Sequence, residues 1–197
     1  MNRLASLSGV FCTLGFASLT NAGITTTSSL AGYQNAIAGR GLLTETFEGA
    51  AIGAASGGSG WNAWSASANS GLLYTSVGLL STQQADAELR ISFSPGAVNA
   101  VAGTFYLTDA SHSVVLNSLI EISLDNGEMY VSESSSTNFA GFVADAGQHI
   151  SSIVIKPFIP AGVEYSAVSS LIVSGVPAPG SLALLGAAGI AARRRRR

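Results

Sequence analysis

Two tryptophans three residues apart, in Gly60-Trp61-Asn62-Ala63-Trp64-Ser65, are the most ligand-like feature of the sequence. An indole face stacks on the C–H surface of a sugar ring while side chains such as Asn62 and Ser65 bond its hydroxyls, the pattern of an apolar site with a polar rim. If the stretch runs as a continuous strand, a spacing of three puts the rings on opposite faces, one toward solvent and one toward the core. Trp61, Asn62 and Trp64 are therefore the candidate carbohydrate-binding residues, and packing competes for the same side chains.

Other chemistry is thinner. Asp109-Ala110-Ser111-His112 assembles the residue types of a hydrolytic triad, but four successive positions cannot converge by sequence logic, and no Gly-x-Ser-x-Gly elbow occurs. His112 and His149 stand far apart without a third ligand at zinc spacing. Glu45, Glu48, Asp109 and Asp125 are hard oxygen donors of the kind Ca²⁺ takes, yet none follows a calcium-loop spacing, and Asp125-Asn126-Gly127 reads as a turn. Thr25-Thr26-Thr27 is isolated, so the regular threonine array of an ice-binding face is missing. No catalytic or metal-binding residue is assigned, no cofactor is expected, and the chain reads as a non-enzyme.

The two ends say where those residues are placed. Arg3 precedes an apolar stretch from Leu4 to Leu19, and Thr20 and Ala22 offer small residues for cleavage. Residues 1–22 thus read as a secretory signal peptide, with a mature start near Gly23 and signal peptidase and the general export machinery as partners. The single cysteine, Cys12, lies inside this segment with Phe11 before it, which argues against lipidation. The mature chain is left without cysteine, so disulfides and thiolate metal sites are unavailable. At the other end, Ser181 to Ala192 carries no charge and is followed by Arg193, Arg194, Arg195, Arg196 and Arg197. Each arginine costs about 2.5–3.5 kcal/mol at a bilayer centre, so the block stays on the cytoplasmic side as a topology stop. Twelve helical residues rise only ~18 Å against a hydrocarbon core of ~30 Å, which is short for a span. The prolines at 177 and 179 start that helix near Gly180 or Ser181.

Between the ends, residues 23–175 hold three cations, Arg40, Arg90 and Lys156, against all eleven acids, a formal charge of −8. A body this acidic repels phosphate, which excludes nucleic-acid binding. About 150 residues make one domain. Ser28 to Gly41 has helical spacing, with Leu30, Tyr33 and Ile37 on one face and Ser28 or Ser29 as cap. The period then changes to two. Strands are predicted over 42–47, 72–77, 88–94, 98–108, 114–124, 128–133, 139–143, 149–156 and 165–174, with 50–60 as a glycine-rich loop. Leu89, Ile91 and Phe93 share a face, as do Ile120, Ile122 and Leu124, and Asp125-Asn126-Gly127 joins two strands as a hairpin. Pro157 and Pro160 put a strand end at a sheet edge or in a loop. Strands without intervening helices predict a mainly β fold, an antiparallel two-sheet β-sandwich with a short N-terminal helix, flanked by a signal-peptide helix and a short C-terminal transmembrane helix.

Val176-Pro177-Ala178-Pro179-Gly180, the apolar run 181–192 and the arginine block 193–197 together resemble the PEP-CTERM sorting tail of exported bacterial proteins. Ala178 stands where that family has its acidic residue. The resemblance implies a membrane exosortase that processes the chain near the motif and hands it to the cell surface or extracellular matrix, in bacteria that form exopolysaccharide. Thr46-Phe47-Glu48-Gly49, the strand ending at Phe93, Val98 to Phe105, and Phe139-Ala140-Gly141-Phe142 before Ile150 to Ile155 resemble the jelly-roll-like cargo domain joined to such tails. In its last strand this sequence has Val168-Ser169-Ser170 where that family commonly has an acidic pair. The expectation is an exported surface or matrix protein with a non-enzymatic structural or adhesive role, tethered in transit by its C-terminal helix. An exopolysaccharide-binding module is the alternative.

Overall fold

The computed structural model describes residues 23–48 and 51–175. The expected signal peptide, the motif 176–180 and the tail 181–197 lie outside the described residues. Among the described residues no helix is long and apolar enough to cross a membrane.

The domain is an antiparallel two-sheet β-sandwich with one α-helix on its outside. In chain order the elements are β1 (Ile24–Thr27), α1 (Leu30–Ala36), β2 (Gly41–Glu45), β3 (Ala51–Gly53), β4 (Ala55–Gly57), a 3₁₀ turn (Gly60–Asn62), β5 (Trp64–Ala68), β6 (Leu73–Ser76), β7 (Leu79–Thr82), β8 (Leu89–Phe93), β9 (Val98–Thr108), β10 (Leu119–Leu124), β11 (Met129–Glu133), β12 (Phe139–Ala144), β13 (Ser152–Pro157) and β14 (Tyr165–Gly175). Sheet one runs β1-β12-β9-β14-β7-β6-β3, with β2 also pairing β14. Sheet two runs β11-β10-β13-β8-β5-β4.

Period two decides which side chains meet between the sheets. Leu89, Ile91 and Phe93 of β8, Ile120, Ile122 and Leu124 of β10, and Ile153 and Ile155 of β13 face Val101, Phe105 and Leu107 of β9 and Leu171 and Val173 of β14 in one core cluster. β14 carries one extra residue near Ser169, where Val168 pairs with Phe105 and Ser170 with Thr104. That bulge keeps Val168 and Leu171 both inward although they are three apart. It also marks where β14 exchanges β7 for β2 as its second neighbour.

The helix covers the outer face of sheet one. Ser29 caps it, its side chain accepting the Gly32 N–H at 3.2 Å, and Tyr33 and Ile37 pack on Ala100, Ala102, Val143 and Ile172. The Tyr33 ring lies so close to Gly141 that a Cβ there would stand 2.7 Å from Cδ2. Only glycine admits the ring at that distance.

Several predicted bounds change. The helix is confined to 30–36 and Leu30 stays 44% exposed, so two of its three spaced apolar residues are buried. The glycine-rich stretch 50–60 is not wholly loop: β3 and β4 pair with β6 and β5, because alternate small residues fit a sheet edge. Residues 114–124 form no continuous strand. Asn117 takes a positive φ of 62° that breaks the extension, leaving Val114 in a single bridge to Thr108. Phe47 likewise turns off the end of β2 with φ 53° to send its ring into the core. β1, β5 and β7 had no place in the predicted strand order.

Ile24 sits beside Ala144, Val143 beside Ala100, and Gly175 beside Val98. The first and last described strands therefore have their outer termini at one end of the sandwich, the base. The opposite end, the tip, is made by the loops around 83–88, 109–118 and 158–164.

Candidate functional site

The outer face of sheet two carries an ordered array of polar side chains. Ser56 is paired with Ser65, Ser65 with Ser92, and Ser92 with Ser152, so four serines form one row across β4, β5, β8 and β13. Neighbouring strands lie about 4.8 Å apart, which sets the spacing of the row. Inward partners on the same strands (Ala55, Trp64, Ala66, Ile91, Phe93, Ile153) fill the core, so alternation puts the serines on the outer face, where Ser152 is itself buried under its neighbours at 7% exposure. One row toward the tip, Arg90 extends Nη1 to Ser152 Oγ at 3.1 Å.

Further toward the tip the face becomes ionic. Lys156 Nζ lies 3.4 Å from Glu121 Oε1 and 3.8 Å from Glu88 Oε1. Glu121 is mostly buried and accepts the Ser123 hydroxyl at 2.5 Å. The lysine is thus held between two carboxylates on neighbouring strands. Beside the serine row toward the base, a shallow open depression of about 240 Å³ is lined by Ala63, Trp64, Ser65, Ser92, Phe93 and Ser94.

The structure separates the two tryptophans. Trp64 is 5% exposed and buried between the sheets, edge-on to Phe47 with ring centroids 5.7 Å apart at 84°. Its Nε1 has no partner. Trp61 is half-buried in the 3₁₀ turn, where it closes the base of the sandwich. A Cβ on Gly41 would stand 3.0 Å from its Cζ2, and one on Gly175 2.9 Å from its Cε3. Those two glycines are paired across β2 and β14, and without side chains they admit the flat indole. Asn62 spends its carbonyl oxygen locally, accepting the Ser59 N–H at 2.9 Å. The two rings lie apart, as a spacing of three implied, but a 3₁₀ turn and not a continuous strand separates them: Trp64 is core and Trp61 packs half-buried on the base.

The remaining candidates are dispersed. Asp109 Oδ1 accepts the backbone N–H groups of Ser111 and Ser113 at 2.8 and 3.0 Å, shaping its own turn. His112 stands in that turn with φ 61° and stacks flat on Tyr74, centroids 4.1 Å apart. His149 lies in the loop before β13, at the base, and Asp125 Oδ2 accepts the Ser151 N–H at 3.1 Å. Glu45 Oε1 accepts the Phe47 N–H at 3.0 Å. Among the described residues no three His, Cys, Asp or Glu side chains converge on a point that a metal ion could occupy. Arg90 and the serine row were not singled out in the sequence. The signal was present in Trp64-Ser65-Ala66-Ser67 and Arg90-Ile91-Ser92, where small polar residues alternate with apolar ones, but their alignment depends on register.

No family model matches the sequence, and no curated protein matches it significantly. Among solved structures, the family 11 carbohydrate-binding module of the cellulosomal cellulase Lic26A-Cel5E of Clostridium thermocellum aligns over 71% of this chain and 96% of its own, with 15% identity and a TM-score of 0.28. A family 11 module from the same organism, in complex with a β-1,3-1,4-mixed-linked tetrasaccharide, aligns over 78% and 97%, with 13% identity and a TM-score of 0.25. At these scores the likeness carries no argument about a ligand.

Proposed function

We propose that this chain is an exported surface or matrix protein with a non-enzymatic structural or adhesive role, delivered by a PEP-CTERM-type tail that an exosortase-like enzyme processes. The observation that carries this reading is the shared base of β1 and β14. A leader entering at Gly23 and a basic-stopped tail leaving after Gly175 meet the membrane at the same end of the domain. The acidic, jelly-roll-like body then hangs outward, and its tip is the part farthest from the membrane. Mass spectrometry of the protein recovered from cells and medium tests this. The expected mature chain begins near Gly23 and lacks the residues beyond the Pro177-Ala178-Pro179 region. Replacing Arg193–Arg197 by serines should release or misroute it. Intact chains ending at Arg197 in the soluble cytosol would refute the reading.

The second reading, exopolysaccharide binding, rests on the row Ser56, Ser65, Ser92 and Ser152 with Arg90 beside it. Hydroxyls and a guanidinium at strand spacing supply donors and acceptors to a hydroxyl-rich chain lying across the strands. Polysaccharide pull-down with Ser65→Val, Ser92→Val and Arg90→Ala tests it, with Trp61→Ala alongside. Retention that survives the first three substitutions excludes this face.

A further inference from the structure

The tip differs from the rest of the acidic surface. Phe158, Ile159 and Val163 on the loop between β13 and β14 are 42%, 68% and 64% exposed, and Leu116 on the neighbouring loop is 62% exposed. These loops are tied together. The Ser118 hydroxyl donates to Glu164 Oε1, the Gly162 N–H donates to Asp86 Oδ2 at 2.6 Å, and the Asp86 N–H donates to the Glu164 carbonyl at 2.6 Å. Phe158 is anchored by its own N–H on the Leu119 carbonyl at 2.9 Å. The apolar side chains thus project from a braced platform.

The same loops bury one acid of this end and engage two others in hydrogen bonds. Glu164 is 5% exposed, Asp86 is engaged by Gly162, and Asp109 by two backbone N–H groups. Glu133 stands opposite Leu119 at the rim. Four side chains exposed to this degree present on the order of 400 Å² of apolar surface, comparable to the largest patch of an ordinary monomer and often functional at that size.

We propose that the tip is a weak self-association surface, by which a copy of this protein on one surface meets a second copy on a facing surface. The proposal rests on the exported, adhesive reading above, and three observations favour a second copy as the occupant. The chain outside the domain leaves from the base. On the reading above residues 181–192 are removed on processing, and while they are still seated in a membrane the five residues 176–180 span at most ~17 Å, whereas the eleven residues of β14 set the tip ~35 Å away. The protein's own tail therefore does not cover the patch. Two bodies of charge −8 repel, and the repulsion is least where apolar side chains meet and carboxylates are few: at the tip Glu164 is buried, Asp86 and Asp109 accept backbone N–H groups, and Glu133 stands exposed only at the rim. Finally, the patch is about half of the ~800 Å² per partner that a stable dimer uses, so a single contact is weak and many displayed copies are needed for adhesion.

The test uses the full chain, purified and captured on beads through a tag placed after Arg197 so that the tips face outward. This arrangement does not depend on export, so its failure and that of the sorting reading are distinguishable. Beads bearing the protein should clump with one another and not with beads bearing an unrelated acidic protein. Phe158→Ser/Ile159→Ser/Val163→Ser should reduce clumping at least tenfold, and the single change Val163→Asp should do so without the same burden on folding. Val77→Ser, an 83% exposed apolar residue away from the tip, should leave it unchanged. Melting curves on the same samples establish that each variant is folded. Clumping that persists in folded tip variants, equal adherence to the unrelated beads, or no clumping by the unsubstituted protein at any coating density would each overturn the proposal.

Discussion

Replacing Trp64 by alanine is the sharpest test of how the two tryptophans are used. Its ring is 95% removed from solvent, meets Phe47 edge-on, and stands between Gly57 and Phe93 across β4 and β8. A deletion of that size in a packed interior costs about 3–5 kcal/mol. For a domain of ~150 residues, at about 2–4 °C per kcal/mol, the melting temperature should fall by roughly 6–20 °C. Trp61 is only half-buried, so Trp61→Ala forfeits a fraction of the ~1.5–3 kcal/mol that full burial of a large side chain provides, and the drop should be a few degrees. Trp64→Phe keeps an aromatic edge beside Phe47 and removes an indole N–H that has no partner, so it should cost less than about 1.5 kcal/mol. Thermal and urea denaturation of the full chain, followed by circular dichroism, reads all three. If Trp64→Ala melts within 2 °C of the parent, or Trp61→Ala costs as much as Trp64→Ala, the assignment of core and base is wrong.

Burial pushes the Tyr33 phenol far above its ordinary value, with Arg40 pulling weakly the other way, and burial also raises Tyr106 against a bond from Ser169. Both groups keep their protons in the fold after the unfolded chain has begun to lose them. Their contribution is therefore complete below about pH 10 and declines as pH rises above it. Tyr33→Phe should flatten that alkaline decline in a pH series of urea midpoints and cost little at pH 7, because its hydroxyl has no partner. Gly141→Ala would set a methyl 2.7 Å from the Tyr33 ring and 2.6 Å from Thr27 Oγ1, and should cost about 1–3 kcal/mol by displacing the helix, visible as a lower melting temperature. Lys156→Met should lower stability by about 1–3 kcal/mol in a urea titration, since it leaves the mostly buried Glu121 carboxylate without its cation. Chelation of divalent ions should leave the melting curve within about 1 °C, as Glu45, Asp109 and Asp125 are each engaged separately by backbone N–H groups.

The sequence reading reached the core more surely than the surface. Leu89, Ile91 and Phe93, and Ile120, Ile122 and Leu124, alternate strictly, and burial on one face follows from a period of two whatever the pairing. The Asp125-Asn126-Gly127 turn was legible for a local reason: Gly127 takes φ 87° and Asn126 Oδ1 accepts the Glu128 N–H. The bulge at Ser169 was not, because an extra residue disturbs the period and only the partner strand shows where. β3 and β4 were hidden because Ala, Ser and Gly have little preference for strands and are held there by their neighbours. The serine row is a property of register across four strands, which no single stretch contains. The spacing of three already separated Trp61 from Trp64, but which ring is core was decided by a three-residue helical turn that the sequence did not signal.

β14 ends at Gly175 after eleven residues paired with β9 on one side and with β7 and then β2 on the other. Tension applied at residue 176 would act along that strand, so the bonds on both flanks resist sliding together and cannot open one after another. A four-residue edge strand such as β1, pulled outward, would instead peel. The chain leaves the domain from a strand paired on both flanks, so if the proposed tethering holds, the slippage of that strand, more than equilibrium stability, would set how long a copy withstands flow.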